Sequence, residues 1–192
     1  TGNGNDNITA GDGANNITSA AGDDVIAVGS GNNNIYSGSG NDNISAENGN
    51  NTIYAGAGDD VLNIGSGDNI IHLGYGDDSL TIGSGINTIY ADSGNNIINV
   101  VTSSALVNAD FSSLSLDTNS LANDEEPIIS TTVETGYGND IISIENGDTT
   151  INTGAGDDII TLGAGDHIID GNSGNNQITI GDGNSTLALA DG

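Results

Sequence analysis

Neither lysine nor arginine occurs among the 192 residues, against 27 aspartates and glutamates, so the formal net charge is −27 at pH 7. A chain with no basic face cannot hold phosphates, which excludes nucleic acid as a partner. An anionic membrane would repel it for the same reason. Cysteine is also absent, so no disulfide framework exists. No stretch reaches the length of an apolar membrane span, and no positively charged start or apolar signal region is read before the first repeat. Catalysis lacks its parts as well: there is no cation to stabilise a developing anion and no nucleophile with a positioned base. His72 and His167 stand apart from plausible catalytic partners, so the chain is not expected to be an enzyme. High net charge with moderate hydrophobicity predicts disorder until counter-ions arrive.

What the chain does have is glycine in a fixed register. An eighteen-residue unit is plainest from Gly56 to Leu73, as GAGDDVLNI followed by GSGDNIIHL. Counted from Gly2, the nonapeptide half recurs eleven times to Val100, and from Gly136 six times to Leu189. Position three is glycine and position seven aliphatic in every copy. Gly-x-Gly supplies φ > 0 for a tight turn over the first five residues. Positions six to nine then form a short strand, with position seven and less strictly position nine facing inward.

Position five sets the true period. Through the first ten copies it alternates strictly, Asp6, Asn15, Asp24, Asn33, Asp42, Asn51, Asp60, Asn69, Asp78, Asn87. Two turns and two short strands per eighteen residues place every Asp turn on one edge and every Asn turn on the other. The predicted fold is therefore all-β, a parallel β-roll or two-sheet β-solenoid with 18 residues per coil and about ten coils. Asp turns stacked about 4.8 Å apart would repel one another unless a cation bridged them, and a hard cation is satisfied by carbonyl-rich turns carrying one carboxylate each. On the other edge Asn15, Asn33, Asn51, Asn69 and Asn87 can stack as an amide ladder without an ion.

These copies resemble the RTX nonapeptide GGxGxDxUx, which builds the right-handed calcium-binding β-roll of secreted bacterial proteins. The resemblance implies Ca²⁺ between consecutive turns on one edge, held by backbone carbonyls of the glycine-rich residues and by the Asp of each flanking turn. The matching carboxylates are Asp6, Asp24, Asp42, Asp60, Asp78, Asp140 and Asp158, with turn glycines Gly4, Gly22, Gly40, Gly58, Gly76, Gly94, Gly138, Gly156 and Gly174. Asn96 and Asn176 replace Asp in the last turn of each run, so sites beside them are expected to be the weakest. Seven or eight ions follow, nearly all on the Asp edge, the eighth depending on a turn that opens at Ala190. The chain departs from the family at its first Gly, where Ala10, Val28, Ile64, Ile82 or Leu162 stands, which predicts a wider core.

Residues 101–135 lose the glycines, yet Val107 and Val133 keep the position-seven register of two Asn-edge halves. Between them, Asp110 to Glu126 spans seventeen residues where nine would serve, predicting an eight-residue bulge on the Asp edge, after which Asp140 resumes on the correct side. One roll over 1–192, with regular repeats at 2–100 and 136–192, is expected, and the chain reads as a fragment of a longer protein. Thr18, Tyr36, Tyr54, His72 and Tyr90 fall at outward position eight of the Asn-edge halves; such a stripe is a contact or sugar-binding face or simply a well-paired strand surface. Three functions are compatible: a calcium-rigidified segment of a surface layer, fibril or adhesin, which the length favours; a folding and secretion module of an exoenzyme or toxin; or an ice- or sugar-binding module. Partners expected besides Ca²⁺ are other copies of the chain, laterally or end to end, or cell-surface glycans.

Overall fold

The computed structural model describes residues 1–83, 85–91, 94, 96–101, 105–108, 113–117, 131–134 and 139–189. In chain order the strands are β1 (Asn7–Ala10), β2 (Asn16–Ala21), β3 (Val25–Val28), β4 (Asn34–Ser39), β5 (Asn43–Ala46), β6 (Thr52–Ala57), β7 (Val61–Ile64), β8 (Ile70–Tyr75), β9 (Ser79–Ile82) and β10 (Asn87–Tyr90), then β11 (Ile97–Val101), β12 (Ala105–Asn108), β13 (Ser113–Asp117), β14 (Thr131–Glu134), β15 (Ile141–Asn146), β16 (Thr149–Asn152), β17 (Ile159–Ala164), β18 (His167–Asp170), β19 (Gln177–Ile180) and β20 (Thr186–Ala188). Odd-numbered strands make one ten-stranded sheet and even-numbered strands a second, each in sequence order. All pairings are parallel, and the register steps by eighteen residues, as in Ile8↔Ile26 and Ile17↔Ile35, except where β11 meets β13, β12 meets β14 and β13 meets β15. The expected all-β, two-sheet solenoid is the observed fold.

Two inward rows fill the space between the sheets. From the odd sheet come Ile26, Ile44, Leu62, Leu80, Ile98, Ile142 and Ile160, and from the even sheet Ile35, Ile53, Ile71, Ile89, Val133, Ile151 and Ile169, all buried. Each such burial contributes about 1.5–3 kcal/mol before chain entropy is subtracted. Position nine completes the core, with Val28, Ala46, Ile64 and Ile82 on one side and Ala55, Leu73 and Ala91 on the other. The family's glycine position is thus occupied by core side chains here.

Glycine does two different jobs in the two kinds of turn. Position three has positive φ on both edges, for example Gly22 at 121° and Gly31 at 138°. A Cβ there would run into the carbonyl of the coil before, Gly4 under Gly22 and Gly13 under Gly31. Among the described residues, position one has positive φ only in the turns that carry Asp or its Asn stand-in, at Ala20, Gly38, Gly56, Gly74, Gly154 and Asn172. On the opposite edge Gly29 is not left-handed; it is needed for space, since a Cβ would lie 2.8 Å from the Asp12 backbone nitrogen. The sequence-based picture of one turn type on both edges is corrected accordingly.

The irregular stretch keeps its parity but not its predicted bulge. β12 and β14 join the even sheet, with Val107 paired to Ile89 and Val133, and Val133 is fully buried. β13 joins the odd sheet, Leu114 pairing with both Ile98 and Ile142. Within the segment read as a bulge there is therefore a paired strand. Four residues, 109–112, separate β12 from β13, whereas thirteen, 118–130, separate β13 from β14, against five between β1 and β2. Counted along the chain, the surplus therefore follows β13 rather than preceding it. Residues 118–130 themselves, with Asp124, Glu125 and Glu126, lie outside the described residues, as do Gly138 and the turn expected at Ala190.

Candidate metal centre

The row of Asp turns is a buried carboxylate ladder. Each Asp precedes an odd strand, where the turn brings it between the sheets. Asp24, Asp42, Asp60 and Asp78 are 1% exposed, and Asp140 and Asp158 are fully buried, although Asp is among the residues least often found inside; Asp6, in the first coil, is half-buried. One oxygen of Asp24, Asp42, Asp60, Asp78 and Asp158 is accounted for. The N–H of Asp6 donates to Asp24 Oδ1, that of Asp24 to Asp42, that of Asp42 to Asp60 and that of Asp60 to Asp78, all at 2.8 Å. The Asp140 N–H donates to Asp158 at 3.0 Å, and the two ladders close on Asn96 and Asn176 at 2.9 Å.

The second oxygen is not accounted for. Oδ2 of Asp24, Asp42, Asp60, Asp78 and Asp158 is buried without a hydrogen-bond donor; the Ser37 hydroxyl, which neighbours Asp42, gives its proton to the Ala55 carbonyl at 2.7 Å. A buried unpaired carboxylate oxygen costs several kcal/mol unless a proton or a cation meets it. With no cation alongside, burial and the neighbouring carboxylates push Asp60 up to about 7 and Asp78 up to about 6, the N–H bonds offsetting only part, and Asp42 is raised for the same reason. Because no cationic side chain exists in the sequence, the missing charge must come from outside. Among the described residues no three acidic or imidazole side chains converge, so an ion here would draw most of its ligands from turn carbonyls, a hard-oxygen set suited to Ca²⁺. Gly4, Gly22, Gly40, Gly58, Gly76, Gly94, Gly156 and Gly174 all sit in these turns with positive φ.

On the Asn edge the same problem is solved internally. Asn33 Nδ2 donates to the Gly29 carbonyl at 3.2 Å, the Gly31 carbonyl at 3.0 Å and Asn51 Oδ1 at 2.9 Å. Asn15, Asn51 and Asn69 repeat the pattern, and Asn87 keeps its two carbonyl bonds. The expected amide ladder is observed. In the second run this edge has Thr149 and His167 instead. His167 is 1% exposed; its Nε2 lies 3.2 Å from the Gly163 carbonyl and its Nδ1 2.8 Å from Thr149 Oγ1. A carbonyl only accepts, so Nε2 is the donor in the Gly163 contact, while the Thr149 hydroxyl can either give or take a proton at Nδ1. Read as isolated from sequence, His167 instead bridges two coils.

A second ladder runs on the outside, in the opposite sense. The Asp23 N–H donates to Asn5 Oδ1, that of Asn41 to Asp23, that of Asp59 to Asn41 and that of Asp77 to Asp59, at 2.9 to 3.0 Å. Sequence reasoning did not single out position four; its signal was the recurrence of Asn or Asp beside position five. The aromatic stripe forms as expected. Tyr36, Tyr54, His72 and Tyr90 stack with ring centroids 4.8, 4.4 and 4.5 Å apart and nearly parallel planes. Their faces cover one another, so edges rather than open ring faces meet solvent, which is poor geometry for stacking a sugar.

Comparison with protein-family models matches this chain to the RTX calcium-binding nonapeptide repeat (4 copies), at residues 1–35, 28–62, 36–71, 65–85, 72–100, 144–178 and 168–187. A search of curated proteins finds no matching relative.

Proposed function

This chain belongs to the RTX calcium-binding nonapeptide repeat family, and from that premise we propose that it is a structural segment of a secreted or cell-surface bacterial protein, folding into a stiff rod as Ca²⁺ fills its Asp edge. The observation that carries the proposal is the row of buried Oδ2 atoms with no donor in a chain with no cationic side chain. The ions would be held by Asp6, Asp24, Asp42, Asp60, Asp78, Asp140 and Asp158 with carbonyls of the adjoining glycine turns, one ion at most between successive turns. Since repeats of this family are typical of proteins that bacteria secrete, an extracellular setting, where free Ca²⁺ is plentiful, supports the reading. No catalytic role is proposed. No helix among the described residues is long and apolar enough to cross a membrane.

Neutralised by its ions, the rod could pack against copies of itself. Asp12, Asp68 and Asp166 are exposed on the Asn edge and are placed for looser Ca²⁺ bridging between rods. Three measurements test the proposal. Ion counting by native mass spectrometry is expected to give several tightly held Ca²⁺, and a crystal structure in Ca²⁺ is expected to place them on the Asp edge; ions shared equally between the edges refute the asymmetry. Light scattering across a Ca²⁺ series is expected to report association, and a dispersed monomer at every concentration leaves a folding and secretion module of an exoenzyme or toxin as the better assignment.

A further inference from the structure

At Asn176 and Asn96 the Asp edge solves its charge problem without an ion. Asn176 keeps the ladder intact, its Oδ1 accepting the Asp158 N–H at 2.9 Å. Its Nδ2, the atom that replaces a carboxylate oxygen, donates to the Gly171 carbonyl at 2.6 Å. Asn96 does the same, accepting from the Asp78 N–H at 2.9 Å and donating to the Ala91 carbonyl at 2.8 Å. Asp and Asn differ here by one atom, yet that atom changes the site from electron-rich and donorless to internally paired. An amide N–H aimed at a turn carbonyl uses up that carbonyl and presents positive hydrogens where a cation would sit, so amide and Ca²⁺ exclude each other. The Asn edge shows the same substitution carried along a whole row.

The two edges also engage different carbonyls. On the Asn edge Nδ2 reaches the carbonyls four and two residues back, Gly29 and Gly31 for Asn33. On the Asp edge it reaches the carbonyl five residues back, Gly171 for Asn176 and Ala91 for Asn96. At Asn176 the difference goes with the position-one residue Asn172, whose φ is 44°, a left-handed conformation that position one adopts only on the Asp edge among the described residues. The inward carbonyl of position nine is therefore a feature of the Asp-edge turn.

Resting on the calcium reading above, we propose that Asn96 and Asn176 are cation stops: side chains that end each row of ion sites by supplying the turn with its own hydrogen-bond donor. Position five alone then decides whether a turn requires Ca²⁺. Of the seven gaps between neighbouring Asp-edge turns, the two flanked by Asn96 and Asn176 are closed to a tight ion. Five remain, four in the first run and one in the second.

The test uses the full chain, with ion number from native mass spectrometry and the Ca²⁺ midpoint of folding from circular dichroism. Asn176→Asp is expected to add about one tightly held ion and to raise the Ca²⁺ concentration needed for folding. Asp60→Asn is expected to lose about two ions, one on each side of its turn, and to fold at lower Ca²⁺ than the wild type. An unchanged ion number in Asn176→Asp, with the wild type binding normally, overturns the inference and leaves the calcium reading standing. So does an Asp60→Asn chain that loses no ions or needs more Ca²⁺. A wild type that takes up no Ca²⁺ overturns both.

Discussion

A buried Asp without its ion has one way to settle, which is to take up a proton. Asp60 and Asp78 are raised from 3.8 to about 7 and about 6, so in the absence of metal the folded chain binds more protons than the unfolded one. Their contribution to metal-free folding is therefore most favourable below the unfolded value near 4 and is lost as pH rises through 6 to 7. In chelator, circular dichroism is expected to show β structure appearing as pH falls from 7 towards 4. With Ca²⁺ the sign reverses, because the ion displaces those protons, and the Ca²⁺ midpoint is expected to rise as pH drops below 7. A midpoint independent of pH would contradict the placement of Ca²⁺ on these carboxylates. Gly58 gives a purely steric test. It lies at φ 130°, and a Cβ would strike the Gly40 carbonyl. Gly58→Ala is expected to cost about 1–3 kcal/mol from the backbone conformation alone, with more from the overlap, read as a lower melting temperature in saturating Ca²⁺.

At the scale of the turn and strand, the alternation of Asp and Asn was enough to separate two edges and two sheets, and the aliphatic at position seven was enough to name the core. Both are side-chain facts repeated at every coil. Glycine hid what was missed: position one is Gly on both edges, at Gly38 for its left-handed φ and at Gly29 for space, and the letter does not distinguish these reasons. The surplus after β13 was misplaced because no Gly-x-Gly precedes Ser113 to Asp117, and Ser112 stands where an Asp directly precedes most other odd-sheet strands. The role of Nδ2 was legible only as a possible ladder; its carbonyl partners required the turn geometry. Asn51 tests that ladder. Its Nδ2 serves the Glu47 and Gly49 carbonyls and its Oδ1 accepts from both the N–H and the Nδ2 of Asn33. Asn51→Leu strands those groups, at about 1–3 kcal/mol for each that stays buried and unpaired, so chemical denaturation in saturating Ca²⁺ is expected to show a large loss of stability with the ion number unchanged. A fall in ion number would put Ca²⁺ on the Asn edge.

For the whole molecule, the twenty short strands among the described residues are pulled together by an apolar core one or two side chains deep, against a net charge of −27. Each coil contacts only its neighbours, so stability is set coil by coil and by the interfaces between coils. Inner and outer ladders of opposite sense hold the turns in register. They do not neutralise the buried carboxylates, and no residue of this chain can. Metal binding and folding are then a single equilibrium, whose free-energy gain grows with the logarithm of Ca²⁺ concentration at every site. The most direct measurement is far-ultraviolet circular dichroism of the wild-type chain at pH 7.5, first in excess EGTA and then through a titration to millimolar Ca²⁺. An unfolded spectrum in chelator, converting cooperatively to a β spectrum as Ca²⁺ is added, is the predicted result; a β spectrum that persists after exhaustive chelation at that pH would contradict it.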